Sequence, residues 1–266
     1  MELTDTLYEV ENGVAWITIN RPDRMNAFRA RTVDELNHLF TRAWGSAEVG
    51  VICLTGAGER AFCAGGDQKQ RAETGDYGPS ESGLFEIERL HRLIRDVPKP
   101  VIAAVNGVAI GGGHVLHVLC DVSIAASSAT FGQVGPRVGS FDGGFGTAYL
   151  ARVVGEKRAR EIWFRCRRYD AATAERWGLV NEVVPLDRLR DEVRVWADDM
   201  LALSPTALRF LKQSFNADTE QIAGIASMSF SGLGLFVESD EAREGVRAFS
   251  EDRAPVFGEY RARASQ

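Results

Sequence analysis

The first residues form two strand-like apolar runs on either side of an Asn-Gly pair. Leu7-Tyr8-Glu9-Val10-Glu11 precedes Asn12-Gly13, and Val14-Ala15-Trp16-Ile17-Thr18-Ile19 follows it. Asn-Gly between strand-like runs is the strongest short-range hairpin signal, because both turn positions need positive φ. Over residues 32–44 the period changes: Val33, Leu36, Leu39, Phe40 and Ala43 fall on one helical face, and Val51-Ile52-Cys53-Leu54-Thr55 then reads as a buried strand. The cycle recurs. Leu84, Ile87, Leu90 and Ile94 predict a helix over 84–94, Pro98 and Pro100 stop it, and a strand follows over 101–105. Gly111-Gly112-Gly113 leads into a short helix over 114–119 and then a strand over 122–126. The repeating unit is therefore strand, glycine-rich turn, helix. From Gly155 onward helical periods dominate, over 156–165, 171–177, 186–202, 205–215 and 240–250. Residues 70–82, with Thr74-Gly75-Asp76-Tyr77-Gly78-Pro79-Ser80, are polar and rich in Gly and Pro, which suits either a mobile loop over a site or a solvated connection.

Composition narrows the function classes. The 266 residues are 45% hydrophobic and 26% charged, ordinary globular usage with enough apolar material for a sizeable core. Lys+Arg 31 against Asp+Glu 37 gives a net charge of −6, a field that repels a phosphate backbone, so nucleic acid is not an expected partner. Cys53, Cys63, Cys120 and Cys166 show no C-x-x-C spacing, which predicts reduced thiols, a cytoplasmic chain and no structural zinc. No basic start followed by an apolar stretch marks a signal peptide. The most apolar region, 100–126, is broken by Asn106, three glycines, two histidines and Asp121, and falls short of the ~20 apolar residues a membrane span needs.

Candidate chemistry sits at the glycines. Phe62-Cys63-Ala64-Gly65-Gly66-Asp67 and Ile110-Gly111-Gly112-Gly113-His114 each place consecutive glycines between a strand and a helical start, where backbone N–H groups are unpaired and the helix dipole is positive. Two such groups aimed at one point make an oxyanion hole. Neither run fits a dinucleotide fingerprint or a phosphate loop. His114-x-x-His117 lies on one helical face but lacks a third ligand, so both read as core histidines. Ser140 lacks the G-x-S-x-G elbow of an acyl-serine hydrolase. Arg165-Cys166-Arg167-Arg168 suits a solvated face or salt-bridge network, or local positive charge for a phosphate group.

Four blocks carry a family resemblance. Asn20-Arg21-Pro22-Asp23-Arg24-Met25-Asn26-Ala27, then residues 62–68, then Pro98-Lys99-Pro100-Val101-Ile102-Ala103, then Asn106-Gly107 through Gly113 resemble, in order, the signature blocks of the crotonase (enoyl-CoA hydratase/isomerase) superfamily. The resemblance implies an α/β fold, a crotonase-type spiral of ββα units with a helical C-terminal trimerisation region. Residues 1–200 would form the spiral core with the CoA and active site, and 201–266 the helical C-terminal part. It implies an acyl-CoA thioester as partner, a homotrimer or a hexamer built as a dimer of trimers, no metal and no tightly bound cofactor, CoA being part of the substrate. Gly66 and Gly112 map onto the oxyanion donors. Arg24, Ala27, Ala64, Asp67 and Gln68 match positions at the CoA end, and Phe249 matches one that packs on a neighbour's CoA, although Asp252 stands where a lysine is usual and leaves Arg253 as its substitute.

Side chains beyond the glycines select among the family's reactions. Hydratases use two glutamates, whose places hold Val115 and Gly135, so simple enoyl-CoA hydration is not expected. The run from Phe131 through Gly135, Ser140 and Asp142 to Gly144, with Arg160-Glu161-Ile162-Trp163, resembles the branch of 1,4-dihydroxy-2-naphthoyl-CoA synthase and 2-ketocyclohexanecarboxyl-CoA hydrolase. That resemblance implies an anion or water pocket at Gln133, Gly135 and Trp163, which holds bicarbonate in the synthase, and contacts from Ser140 and Asp142 to a second carbonyl. The synthase's two tyrosines would be absent, with Ser80 at the loop position and Val237 at the C-terminal one. The N-terminal hairpin, Ile94 through Pro100, and Ser204-Pro205-Thr206-Ala207-Leu208 resemble the ring-opening hydrolase, although Val237 departs from that pattern too. The expected activity is therefore hydrolysis of a C–C bond in a cyclic 2-keto acyl-CoA. The alternatives are naphthoate-synthase-like ring closure and a catalytically silent CoA-binding homologue.

Overall fold

Asn12 and Gly13 take positive φ, 46° and 82°, and fold β1 (Thr6–Glu11) back on β2 (Val14–Ile19) as an antiparallel pair. The computed structural model describes residues 1–262. After α1 (Ala30–Gly45) the chain enters β3 (Val51–Gly56), parallel to β2, and then turns away into β4 (Ala61–Cys63). α2 (Gln68–Thr74) and α3 (Ile87–Asp96) follow. The pair β5 (Val101–Val105) and β6 (Val108–Ile110), α4 (Gly112–Leu119), and the pair β7 (Val122–Ala126) and β8 (Thr130–Gly132) complete the repeats. Each strand pair gives one member to each of two sheets. The first sheet runs β1-β2-β3-β5-β7 and ends on β10 (Glu182–Val184); the second runs β4-β6-β8 and ends on β9 (Tyr169–Asp170). The chain thus winds as a spiral that advances one strand in both sheets per turn.

The corners of that spiral are held by buried amides. Asn106 accepts from Gly56 N–H and donates to the carbonyls of Gly56 and Gly58. Asn26 donates to the carbonyls of Ala57 and Ala61. These bonds satisfy backbone groups that leave the ladders where a strand quits the first sheet, which would otherwise be costly when buried. β5 is buried along its whole length, as expected of a central parallel strand covered on both faces. One face packs with α1, α3 and α4 around Phe40, Phe62, Phe131 and Leu90; the other is closed by α8 (Leu189–Leu201), whose Leu189, Val193 and Ala197 lie against Val51, Cys53 and Ile102.

Between β8 and β9 a long loop runs to a single π turn at Phe145–Tyr149, α5 (Leu150–Val154) and α6 (Glu156–Arg165), with α7 (Ala171–Arg176) after β9. The C-terminal part is helical: α9 (Pro205–Ala217), α10 (Gln221–Phe236) and α11 (Asp240–Ser250). Ser204 and Ser239 cap α9 and α11 by accepting from Ala207 N–H and Ala242 N–H. Three expectations shift. The helix expected over 84–94 begins at Ile87, because Leu84 is exposed and Phe85 turns into an aromatic stack. Residues 70–74 belong to α2 rather than to a loop. α10 has no clear signal in the sequence, because Gly224, Gly232, Gly234 and its serines dilute the apolar period. Among the described residues no single helix is long and apolar enough to cross a membrane.

Glycines in two helices should respond oppositely to alanine. A Cβ on Gly113 would lie 1.9 Å from the Cys63 carbonyl oxygen, a backbone atom of β4, whereas nothing lies within 4 Å of one on Gly234. Gly113→Ala should lower the urea-unfolding free energy by roughly 3 kcal/mol. Gly234→Ala should raise it by up to about 1 kcal/mol through helix propensity. Equal effects would show that the α4–β4 approach is not a tight constraint.

Candidate active site

β4 and β6 are parallel neighbours, so the turns that leave their C-terminal ends emerge side by side. A Cβ on Gly65 would sit 2.9 Å from the Ile110 carbonyl and 3.1 Å from the Gly112 nitrogen, so the two turns touch. Phe28 forms a bridge to Gly66: Phe28 N–H donates to Gly65 O and Asp67 N–H donates to Phe28 O, each at 2.8 Å. In a parallel bridge of this kind the flanking groups are used, and the Gly66 N–H faces away from Phe28. Gly111, at φ 58°, redirects the chain so that Gly112 opens α4, where an N–H has no intrahelical acceptor and the dipole is positive. Among the described residues neither amide donates to another backbone group. The structure therefore brings Gly66 and Gly112 together as adjacent unspent donors.

Beside them lies the strip matched to CoA. Ala64 N–H donates to Met25 O, so residues 24–28 run along residues 64–67 and place Arg24, Ala27, Ala64 and Gln68 on one edge. Arg24 is exposed and Ala27 buried. Asp67 does different work from that expected. It is buried, its carboxylate accepts from Gln70 N–H to cap α2, and it pairs with Arg21 at 2.9 Å, so it holds the turn rather than facing CoA. Phe249 is exposed on α11, which packs against α2.

Tyr77 is the residue the sequence reading missed. A Cβ on Gly66 would meet its ring and hydroxyl at 2.6–2.7 Å, and Gln68 Nε2 donates to both Tyr77 Oη and Gly66 O. Its backbone is fixed by Ala30 N–H donating to Tyr77 O. A tyrosine thus stands at the glycine turn, three residues before Ser80. Ser80 instead hydrogen-bonds Asp34 on α1. The signal was only an aromatic inside a Gly-rich polar loop, which periodicity cannot interpret.

The loop from Gln133 to Thr147 is fastened on several sides. Buried Arg71 of α2 donates to the carbonyls of Val138 and Gly139, and Gly143 N–H donates to Ser229 of α10. A Cβ on Gly135 would strike the Ser140 carbonyl at 2.7 Å and the Trp163 ring at 3.1 Å. Trp163 of α6 donates its indole N–H to Gly146 O at 2.5 Å, while Gly146 N–H donates to Asp142 Oδ1 at 2.9 Å. Gly135, Ser140, Asp142 and Trp163 are thereby joined into one cluster. The anion pocket is a different matter: Trp163 N–H is spent on Gly146, and Gln133 is paired with His114 Nδ1 at 3.3 Å. Each of those side chains has one protein partner, which departs from an open bicarbonate cradle. Burial pushes the Asp142 carboxyl up to about 6, against the opposing Gly146 hydrogen bond. Ser140 lines a cavity of about 200 Å³ with Phe141, Phe236, Glu241 and Phe257.

His114 and His117 pack edge to face at 4.9 Å and are core residues, as expected. Among the described residues no cluster of His, Cys, Asp and Glu could hold a metal ion, and all four cysteines are free and buried.

The family model for enoyl-CoA hydratase/isomerase matches residues 9–261. The chain belongs to this family. Solved structures similar to it include an enoyl-CoA hydratase from Mycobacterium avium subsp. paratuberculosis K-10, 30% identical with a TM-score of 0.85 over 96% of this chain and 99% of that one. An enoyl-CoA hydratase/isomerase from Pseudoalteromonas atlantica T6c is 28% identical with a TM-score of 0.87, covering 96% of this chain and 100% of that one. A carnitinyl-CoA hydratase from Mycobacterium avium is 29% identical with a TM-score of 0.84, over 97% and 100%. The spiral is the crotonase fold, and the protein is a crotonase-superfamily enzyme that processes acyl-CoA.

The buried histidines of this crotonase make its stability depend on pH. Burial holds His91 and His114 down to about 3, and His117 lower than its ordinary value as well. Below the ordinary 6.5 the unfolded chain takes up protons that the folded one does not, so stability present above that pH is lost as pH falls toward 3. Each ring contributes about 1.4 kcal/mol per pH unit across that window. His91→Leu, among the rings of Phe145 and Phe230, should remove about one proton from the slope of unfolding free energy against pH. An unchanged slope would show that His91 is not held neutral.

Proposed function

We propose that this enzyme hydrolyses a C–C bond in a cyclic 2-keto acyl-CoA, a retro-Dieckmann ring opening. The observation that carries the reading is which carboxylates residues 115 and 135 and the loop tied to α2 by Arg71 hold. Val115 is 1% exposed and apolar, and Gly135 has no room for any side chain, so neither hydratase glutamate has a counterpart, whereas Asp142 supplies a half-buried carboxyl raised to about 6. The relatives named as hydratases share the fold.

In this mechanism ionised Asp142 takes a proton from water, which attacks the ring ketone while Ser140 O–H donates to the ketone oxygen. The tetrahedral adduct collapses, its C–C bond to the α-carbon breaks, and the electron pair passes into the thioester enolate. Gly66 N–H and Gly112 N–H stabilise that enolate oxygen, a role in which one donor contributes ~2.7–4 kcal/mol. Return of the proton to the α-carbon yields a ring-opened dicarboxylic mono-CoA. Water enters and every atom is accounted for. CoA takes part only as the substrate's carrier. This route needs no bicarbonate; Trp163 N–H donates to Gly146 O and one amide contact of Gln133 is with His114.

Tyr77 supports a second reading. A phenol hydroxyl beside Gly66 suits the naphthoate-synthase-like ring closure, which makes the same type of bond in the opposite direction. Phe210, Leu211 and Phe215 on α9, with Met228 and Leu235 on α10, expose large apolar side chains. That surface supports assembly as a trimer or hexamer.

Offered separately, 2-ketocyclohexanecarboxyl-CoA should gain water and o-succinylbenzoyl-CoA should remain intact by mass spectrometry. Loss of water from the second compound would favour ring closure, and no change in either would favour a silent CoA-binding homologue. On the active substrate kcat/KM should fall on the acid side of pH about 6, where Asp142 takes up its proton. Asp142→Asn should lower kcat by about 100-fold or more. Full turnover by that variant would overturn the role of Asp142.

A further inference from the structure

Phe28 contacts both halves of the paired-glycine site, through different parts of the same residue. Its backbone bonds to Gly65 O and Asp67 N bracket Gly66. Its ring points to the other turn: a Cβ on Gly112 would lie 2.6 and 2.7 Å from Phe28 Cζ and Cε1, and the next nearest atom is Gly65 Cα at 3.8 Å. The ring is buried. Phe28 is 4% exposed and is backed by Phe85, with centroids 6.2 Å apart, and by Tyr77 at 6.3 Å; Tyr77 and Phe85 themselves stack at 4.7 Å. Asp67 is locked in turn by Arg21 and by the α2 cap, so the backbone side of the bridge is held as firmly as the ring side.

We propose that Phe28 is the positioning residue of the oxyanion hole: one residue that fixes the Gly66 turn with its backbone and the Gly112 turn with its ring, and so sets the spacing and direction of the two N–H groups. This rests on the thioester-polarising role given to those amides in the proposed function. It extends that role to a side chain that touches neither substrate nor reacting atoms. Alignment of donors at a developing charge is worth far more than their mere presence, and a displacement of about 1 Å can cost on the order of 100-fold. The ring is the part of Phe28 that a substitution can change while the backbone bridge remains.

The test is spectroscopic first. Butyryl-CoA, labelled with ¹³C at its carbonyl, is bound to the full-length protein and the thioester stretching band is recorded by infrared difference spectroscopy. Wild type should lower the band relative to free butyryl-CoA. Phe28→Leu should retain butyryl-CoA binding within about threefold but lose most of the shift, with kcat on the active ring substrate down about 10- to 100-fold and KM little changed. The full shift in folded Phe28→Leu would overturn the proposal, whatever the change in kcat. A second pair guards against general damage. Gly112→Ala forces a methyl into the Phe28 ring, so Gly112→Ala with Phe28→Leu should show more band shift and higher kcat than Gly112→Ala alone; simple additivity of the two losses would overturn the coupling. If wild type shifts the band yet acts on neither ring compound, the ring-opening reading fails while the band in Phe28→Leu still decides the role of Phe28. Absence of any shift in wild type overturns both.

Discussion

Everything at the site depends on β4 and β6 being adjacent parallel strands. Two strands that run side by side must release their chains at the same end, and each is followed by glycines rather than by a side-chain-bearing turn. The close approach of Gly65 to Ile110 O and Gly112 N, and of Gly113 to Cys63 O, leaves no room for a Cβ at either contact. The Gly66 and Gly112 N–H groups are thereby left in touching turns with no backbone acceptor of their own. A fold ordinarily avoids such an arrangement unless a ligand completes it.

The surrounding residues serve that point by immobilising what carries it. Asn26 and Asn106 tie the corners where strands change sheets, Asp67 caps α2 while paired with Arg21, and Arg71 reaches from α2 to the carbonyls of Val138 and Gly139. The last of these links the glycine turns to the loop that holds Ser140 and Asp142. Asp142 is held by Gly146, whose carbonyl is in turn held by Trp163. This frame holds a valine at 115, a bare Cα at 135 and a half-buried aspartate at 142, the positions on which the proposed reaction rests.

Much of this was legible in the sequence, and the parts that were not share a cause. The hairpin at Asn12-Gly13, the helical face of Val33 to Ala43 and the strand–glycine–helix repeats follow from local rules, and the glycine runs mark the places where the chain passes too close to its neighbours for a Cβ. Short strands such as β4, β6 and β8 carry too few residues for a period, and α10 mixes glycine and serine into its apolar positions. The site was partly misread where a side chain's partner is distant in sequence. Asp67 looked available to CoA until Arg21 claimed it, Trp163 looked like an anion donor until Gly146 accepted its N–H, and Tyr77 lay in a loop whose path no local rule predicts.

The central claim is that two peptide N–H groups, one from each glycine turn, grip a single thioester oxygen. A crystal structure of the protein with a bound, unreactive acyl-CoA measures this directly. The carbonyl oxygen should lie about 3 Å from both the Gly66 and the Gly112 nitrogens, in line with both N–H bonds. An oxygen held by only one of them, or a thioester bound away from the two turns, would contradict it.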